Sequence, residues 1–241
     1  WPEVASALES GKTTVVVSVG AVEQHGPHLP LCVDAERGTR LACEIAGRLG
    51  DALVAPTIRV GCSEHHMAFP GTISLRVSTL RALCTDYCVS LSRHGFTRIC
   101  LVPAHGGNFA PLADMLDELR EAVEPGCTVL AFTDLLGFLG IWKRVLGEAG
   151  MAERVGGHAD GAEGSEVLAI RPDLVKVDRA ESGYPGGTSK EVLDRIFREG
   201  LQAVTENGIL GDARGLSAEL GERCLAEGAD AMASFFSESA G

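Results

Sequence analysis

The apolar positions of this chain fall into short runs that alternate with longer amphipathic stretches. Residues 13–19 form a short β-branched apolar run that Gly20 ends, and residues 98–102 form another. Runs of this length and composition are typical of strands buried in a parallel sheet. Residues 34–49 instead carry apolar side chains at helical spacing, and Asp34 is a candidate N-cap for that helix. The pattern therefore predicts strands and helices in alternation.

The rest of the chain repeats this alternation. In a helix predicted over residues 78–93, Leu80 and Leu83 share the apolar face, and Gly95 ends the helix. Strands that alternate with such helices are typical of βαβ units and predict an α/β fold with a mainly parallel sheet. No linker-like or repetitive segment interrupts the pattern, so residues 1–241 are predicted to form a single domain. The other predicted elements are strands over 52–57 and 127–132 and helices over 109–123 and 216–236.

Composition is that of an ordinary globular protein, and the charge excludes two kinds of partner. Hydrophobic residues make up 45% of the 241 positions and charged residues 22%. The 21 basic and 33 acidic side chains give a formal net charge of −12. Because nucleic acids and anionic membranes both bind basic surfaces, neither is predicted as a partner.

The cysteines and the first residues bear on the cellular compartment. No two of the eight cysteines have Cys-x-x-Cys spacing, and most lie among apolar residues as buried thiols do. Residues 1–11 have neither the basic nor the apolar region of a signal peptide. The apolar stretch over 129–145 is interrupted by charged residues and is not predicted to span a bilayer. A cytoplasmic protein is predicted.

The first candidate site is the segment Glu-Gln-His-Gly-Pro-His at 23–28, directly after the strand over 13–19. In an extended segment residues two apart point the same way, so Glu23 and His25 can face one point. Asp34 can return to that point after the Gly-Pro turn. Carboxylate oxygen with imidazole nitrogen suits Zn, Mn or Fe(II). Taken alone, the segment is explained equally well by solvated loop residues, with Asp34 only as a helix cap.

A second candidate segment, Pro-Ala-His-Gly-Gly-Asn at 103–108, follows the strand over 98–102 and precedes a helix. Gly106 and Gly107 allow the backbone to approach a ligand closely. Because the carboxyl ends of parallel strands lie at one edge of the sheet, His105 is expected to meet the first segment. This coincidence favours a metal site over a phosphate cradle. The chain contains no G-x-G-x-x-G, Walker A or G-x-S-x-G motif.

Two further segments carry histidines. The glycine-rich stretch over 157–166 offers His158 and several acids, including Glu163, ahead of a short apolar helix. These groups can complete a metal shell, or the acids can simply cap the helix. His65 and His66 precede Phe-Pro-Gly-Thr at 69–72 and are predicted to bind substrate, to support ligands, or to be purely structural.

At these residues the sequence resembles the creatininase family of metal-dependent amidohydrolases. The segment EQHGPHLPL at 23–31 is the most specific, and the segments follow the family's order over almost the whole chain. The resemblance implies a three-layer α/β/α sandwich and a homo-oligomer, usually a hexamer. The other segments that carry it are Asp34, FPGTIS at 69–74, HGGN at 105–108, the loop from His158 with Glu163 and Ser165, and GILGD at 208–212.

The resemblance also implies a centre of two divalent ions, which would be Zn, Mn or Fe. By position, Glu23, Asp34 and His105 would hold one ion. His25, Asp34 and a further carboxylate would hold the other, with Asp34 as the bridge.

This chain departs from the family pattern in ways that bear on the second ion and on the substrate. Creatininases proper place the further carboxylate where this chain has Gly107, and Glu163 is the substitute implied by other branches of the family. His66 matches the family's histidine before Phe-Pro-Gly-Thr, and His65 replaces its glutamate. Arg154 stands near the late histidine, where creatinine-hydrolysing members place tryptophan, which argues against creatinine as the substrate.

A hydrolytic mechanism follows as a hypothesis. Two divalent ions sharing one water would lower its pKa to about 7, so that hydroxide attacks the carbonyl of a small amide. His158 is the candidate proton shuttle to the leaving nitrogen. Backbone N–H groups near Gly106 and Gly107 are candidates to stabilise the oxyanion. The remaining residues predicted to bind substrate or support the ligands are His28, His65, His66 and Asn108.

Two alternatives remain open at this stage. A peptidase that trims a small modified peptide, as in mycofactocin maturation, would use the same chemistry. A non-catalytic relative would keep the fold for assembly or binding, and Gly107 is the residue that keeps this alternative open. Two bound divalent ions per chain would favour an enzyme, and none would favour a scaffold.

Overall fold

A parallel sheet forms the centre of the computed structural model, which describes residues 1–187 and 189–239. Its strands are β1 (Thr14–Val19), β2 (Ala52–Val54), β3 (Arg98–Pro103) and β4 (Thr128–Ala131), in the order β2-β1-β3-β4. β1 and β3 pair in register from Thr14 against Arg98 to Val19 against Pro103. Their carboxyl ends therefore lie side by side, as the sequence predicts. Thr188, Ala240 and Gly241 of the predicted single domain lie outside the described residues.

Helices cover both faces of this sheet, and a small antiparallel pair of strands, β5 (Val155–His158) and β6 (Leu210–Gly211), lies apart from it. The α-helices of the described residues are α1 (Pro2–Glu9), α2 (Val33–Leu49), α3 (Val77–Arg93), α4 (Phe109–Ala122), α5 (Leu135–Glu148), α6 (Gly161–Ile170), α7 (Lys190–Glu199) and α8 (Ala218–Glu238).

Two apolar cores lie on opposite sides of the sheet because side chains alternate along each strand. Val15 and its alternate neighbours on β1 pack with Leu80 of α3 and Leu112 of α4. Val16 points the other way and packs with Leu41 of α2 and Phe236 of α8. The chain is thus a three-layer α/β/α sandwich with a mainly parallel central sheet, which confirms the predicted fold class.

The structure corrects two element boundaries. β2 ends at Val54 rather than near residue 57, because Pro56 has no N–H to donate to the ladder. Pairing with β1 resumes only as a single bridge between Val19 and Ile58. The prediction that Asp34 caps α2 is also wrong, since the helix begins at Val33 after Cys32 and Asp34 lies in its first turn.

The helix surfaces differ from the predicted pattern in two places. Leu83 is 36% exposed, because the buried face of α3 is formed by Leu80 with Cys84 and Cys88 and Leu83 lies at its edge. α5 was not predicted, although most of it lies in the apolar stretch over 129–145. It buries Trp142 and its neighbours against the sheet.

Across the described residues, none of the helices combines the length and apolarity needed to cross a bilayer.

Candidate metal centre

Loops from two neighbouring strands and the first turn of one helix converge at the carboxyl edge of the sheet. Glu23 and His25 lie on the loop that leaves β1, and His105 lies on the loop that leaves β3. Asp34 projects from the start of α2. All four side chains are buried, with exposures of 4% or less. The structure therefore brings together residues that the strand order alone predicts to be neighbours.

The first group of potential metal ligands consists of Glu23, Asp34 and His105, whose ligand atoms lie within 4.8 Å of one another. Nδ1 of His105 is 3.2 Å from Oε1 of Glu23 and 3.6 Å from Oδ2 of Asp34. Nε2 of His105 lies 3.0 Å from the carbonyl oxygen of Cys62. Assigning a ring proton to Nε2, which then donates to this carbonyl, makes Nδ1 the nitrogen that faces the two carboxylates.

The second group consists of His25, His158 and Glu163. Nε2 of His25 is 3.5 Å from Oε2 of Glu163 and 3.6 Å from Oδ1 of Asp34. Nδ1 of His25 lies 3.1 Å from the carbonyl oxygen of Glu23, to which it can donate. Asp34 thus turns one oxygen toward each group.

His158 at the end of β5 follows the same pattern as the other two histidines. Its Nε2 lies 2.9 Å from the carbonyl oxygen of Gln24. Its Nδ1 is 3.8 Å from Oε1 of Glu23 and 3.9 Å from Oε2 of Glu163. In each of the three rings one nitrogen meets a backbone carbonyl while the other faces carboxylates. Histidines that bind metals characteristically donate their second ring N–H to such a partner.

Several polar atoms of the centre are buried and have no hydrogen-bond partner among the described residues. They are both carboxylate oxygens of Glu23, Oδ2 of Asp34 and Nε2 of His25. An unpaired buried polar atom of this kind is costly, whereas cations bound at the two groups would satisfy these atoms. The donor set of carboxylate oxygens and imidazole nitrogens therefore fits divalent metal ions.

Electrostatics at the centre reflect the surplus of carboxylates. Burial lowers the pKa of His105, but the carboxylates of Glu23 and Asp34 outweigh it and raise that pKa to about 9. Burial alone would raise the pKa of Glu163, yet His25 and Arg37 hold it well below its usual range. Glu163 is thus ionised, which is the form that binds metal.

Gly107 has no space for a side chain. A Cβ at this position would lie 2.3 Å from the carbonyl oxygen of Cys62 and 2.4 Å from Nε2 of His105. Both distances are far inside normal contact, so a carboxylate here would displace the backbone of the neighbouring segment. Glu163 reaches the centre from the opposite direction, from the first turn of α6.

Backbone N–H groups of the loop before α6 donate hydrogen bonds to two carboxylates, which fix the conformation of the loop. Ala159 has φ of 53°, the left-handed conformation that non-glycine residues seldom adopt, and its N–H donates to Oε2 of Glu163 at 2.7 Å. Oδ1 of Asp160 caps α6 by accepting from the Glu163 N–H at 3.0 Å, and Oδ2 accepts from the N–H groups of Gly156 and Gly157 in β5. Of the two roles predicted for the acids of this loop, capping of the helix applies to Asp160. The Glu163 side chain instead turns into the centre.

The remaining predicted histidines surround the centre at different depths. Nε2 of His66 lies 3.3 Å from Oε1 of Glu23. The His65 ring stacks on His105 with centroids 5.5 Å apart and also contacts Phe197. His28 is fully buried behind the first loop, where burial lowers its pKa to about 4, and neither ring nitrogen has a hydrogen-bond partner in the described part of the chain.

The Asn108 side chain connects the end of β1 to the segment that contains Cys62. Its Oδ1 accepts from the Cys62 N–H at 3.0 Å, and its Nδ2 donates to the carbonyl oxygens of Val19 and Gly20. The amide is therefore engaged with backbone groups behind Glu23.

Sequence reasoning did not single out Gln24 or Arg37. Nε2 of Gln24 lies 3.2 Å from Nδ1 of His66 and 2.9 Å from Nε2 of His158, which places this amide between two rings of the site. Arg37 is buried behind Glu163. Its only sequence signal is a charged side chain three residues after Asp34, on the same face of α2.

Two neighbouring cavities with shared lining residues lie at and beside the centre. A cavity of about 60 Å³ touches Glu23, His105 and His158, and its outer wall is aliphatic. A larger cavity of about 480 Å³ adjoins it. The residues that line both are His65, Gly106, Leu135 and Phe197.

Comparison with known proteins agrees with this fold. The creatininase family profile, described as creatinine amidohydrolase, matches residues 1–236. A mycofactocin precursor peptide peptidase of Mycolicibacterium smegmatis is 35% identical over 230 residues, which are 91% of this chain and 83% of that protein. Creatinine amidohydrolase of Pseudomonas putida is 30% identical over 236 residues, 93% of this chain and 89% of that protein. A solved structure described as a Zn-Zn type creatininase variant has a TM-score of 0.78 at 29% identity and covers 99% of this chain and 95% of its own.

The three-layer fold and the paired groups of carboxylates and histidines are those of a hydrolase with potential metal-binding clusters. The chain belongs to the creatininase family, as its sequence motifs predict.

Proposed function

We propose that this protein is a metal-dependent amidohydrolase that cleaves the C–N bond of a small amide. The observation that carries the proposal is the shared orientation of three histidines. His25, His105 and His158 each direct one ring nitrogen to a backbone carbonyl and the other toward buried carboxylates. A scaffold without metal would leave both oxygens of Glu23 and Oδ2 of Asp34 unsatisfied in the protein interior, at a cost in stability.

Two divalent ions, of Zn, Mn or Fe, fit the residues present. Glu23, Asp34 and His105 would hold one ion. His25 and Glu163 would hold the other together with Asp34, whose two oxygens face the two groups. When bound, such ions lower the pKa of water and polarise a carbonyl group. Three of these proposed ligands, Glu23, Asp34 and His25, carry buried atoms that have no hydrogen-bond partner in the described part of the chain.

His158 is proposed to move the proton. Its contacts with carboxylate oxygens, at 3.8 and 3.9 Å, are longer than those of His25 and His105, which favours a shuttle over a ligand. With its ring proton assigned to Nε2, His158 donates to the backbone carbonyl of Gln24 and keeps Nδ1 unprotonated at the edge of the smaller cavity. Nδ1 can thus accept a proton from water and pass it to the leaving nitrogen.

The remaining assignments are also proposals. Gly106 lines both cavities, so its backbone is a candidate partner for the substrate carbonyl, with Gly107 beside it. His65 and His66 are proposed to orient the substrate or support Glu23. A hexamer and a cytoplasmic location stay predictions from the family resemblance and from the sequence.

A peptidase acting on a short peptide is the second candidate function. The cavity of about 480 Å³ beside the centre favours a substrate that extends beyond a single small ring. The mycobacterial relative described above as a precursor peptide peptidase favours the same candidate.

Screening the metal-loaded protein tests both candidates together. Cyclic amides, formamides and short peptides would be incubated with wild-type protein and with a Glu23→Gln variant, and release of amine would be measured. We expect hydrolysis of at least one class by wild-type protein and little by the variant. Equal amine release by the two proteins would contradict the proposal. Cleavage confined to peptides would favour the second candidate.

A further inference from the structure

We propose that Arg37 is a positioning residue that holds the carboxylates of the second ion site, Glu163 above all. The inference rests on the proposed two-ion centre. It assigns a role to a buried cation that lies beside the proposed ligands without being one of them.

Arg37 lies directly behind two proposed ligands. Its side chain is only 2% exposed. Nη1 is 2.8 Å from Oε1 of Glu163 and 3.5 Å from Oδ1 of Asp34. The same nitrogen donates to the carbonyl oxygen of Ala104 at 3.1 Å, just after β3. One guanidinium thus connects α2, α6 and the end of β3 at the back of the centre.

The guanidinium is itself held from the side away from the centre. Nε of Arg37 donates to Oε2 of Glu166 at 2.5 Å. The other Glu166 oxygen accepts from the indole N–H of Trp142 at 2.8 Å. The guanidinium carbon also lies 4.9 Å from the centroid of the Trp142 ring. Arg37 therefore has little freedom to follow Glu163 if that carboxylate moves, and a planar guanidinium suits this multiple contact better than an ammonium.

The contact with Arg37 separates the two oxygens of Glu163. Oε1 is occupied by Arg37, whereas Oε2 accepts from the Ala159 N–H and faces His25 at 3.5 Å. A single oxygen is thereby presented to the second site. Among the carboxylates of the first site, only the shared Asp34 lies near Arg37. Loss of Arg37 should therefore weaken the second ion more than the first.

The charges allow a clean test. Removing Arg37 alone leaves buried carboxylates unpaired and can prevent folding. A double variant, Arg37→Met with Glu166→Gln, removes one positive and one negative charge together. Glutamine at position 166 still offers an oxygen to the Trp142 indole, so the outer hydrogen bond is kept.

The experiment is a Mn²⁺ titration followed by EPR, together with urea unfolding of the metal-free proteins. Wild-type protein is expected to bind two ions and to show the spectrum of a spin-coupled pair. The double variant is expected to bind one ion as wild type does and the second about 10- to 100-fold more weakly, with an uncoupled spectrum. The matched control is Arg40→Met with Glu222→Gln, which removes a more exposed ion pair between α2 and α8 and should leave both ions unchanged.

A second variant covers the case in which the double variant does not fold. Arg37→Lys keeps the charge but cannot reproduce the guanidinium contacts, and an intermediate affinity for the second ion is expected. Wild-type affinity for both ions in either folded variant would overturn the role of Arg37. Absence of a second ion from wild-type protein would instead overturn the proposed two-ion centre.

Discussion

Asp34 and His105 meet at the carboxyl edge of the sheet, with Oδ2 of Asp34 3.6 Å from Nδ1 of His105. The other oxygen of the same carboxylate, Oδ1, lies 3.6 Å from Nε2 of His25. Asp34 is therefore placed between the two groups. This placement depends on Asp34 lying in the first turn of α2 instead of capping the helix.

Replacing the shared carboxylate should affect both ions, whereas replacing a carboxylate of one group should affect one. Asp34→Asn is expected to lose both ions, because the amide removes a negative ligand from each site. Glu163→Gln is expected to retain the ion held by Glu23 and His105. Metal analysis after gel filtration would count the ions, with Glu36→Gln, a substitution in the outward ion pair with Arg59, as the control. Loss of the same number of ions from the Asp34 and Glu163 variants would contradict the shared role.

Gly107 and Gly106 offer a matched pair of substitutions. Gly107→Ala would place a methyl group 2.3 Å from the Cys62 carbonyl oxygen, and overpacking of this kind costs about 1 to 3 kcal/mol. At Gly106 a Cβ meets no atom within 4 Å, so Gly106→Ala should change the free energy of unfolding by less than about 0.5 kcal/mol. Urea denaturation of the metal-free proteins would compare them. Equal stability of the two variants would show that position 107 has room for a side chain.

His158 should matter for turnover more than for metal content. His158→Ala is expected to lower kcat about 10²- to 10⁴-fold on the best substrate found, because general acid-base groups contribute on that scale. Both ions should remain bound, since the proposed ligands are intact. His94→Ala, at the exposed end of α3, serves as the control and should leave kcat unchanged. Unchanged turnover in the His158 variant would remove its catalytic role.

Replacing Asp160 by asparagine should lower the free energy of unfolding, because Oδ2 of Asp160 accepts two backbone hydrogen bonds. In Asp160→Asn the side-chain amide would face the N–H groups of Gly156 and Gly157, which now donate to Oδ2 at 2.8 and 2.7 Å. Unpaired buried donors cost about 1 to 3 kcal/mol, so a loss of that size is expected in urea unfolding. Asp134→Asn, at the more open N-cap of α5, should be nearly neutral because asparagine caps helices as well as aspartate does.

Sequence patterns predicted the features that depend on chain order. The buried strands ending at Val19 and Pro103 were predicted to end at one edge of a parallel sheet, which brings Glu23, His25 and His105 together there. The turn after His25 predicted the return of Asp34 to the same point, and the family resemblance singled out Glu163 among the acids of residues 157–166.

The features that sequence patterns missed depend on contacts between distant segments. Arg37 bonds to partners 126 and 129 residues away, and a single charge on an amphipathic helix carries no signal of such contacts. Likewise, the spacing of His105 and Gly107 does not show that the Cys62 carbonyl fills the space beside them. α5 was missed because its 14 residues include three glycines, which lower the helix propensity of an otherwise apolar stretch.

The proposed two-ion centre can be tested by counting the divalent ions bound per chain. Wild-type protein would be stripped with a chelator, reloaded with Zn²⁺ or Mn²⁺, passed through gel filtration and measured by elemental analysis alongside a Glu23→Gln, Glu163→Gln double variant. We expect two ions per chain in wild-type protein and at most traces in the double variant. If wild-type protein binds no ion, or if both proteins bind the same number, the proposed two-ion centre is wrong.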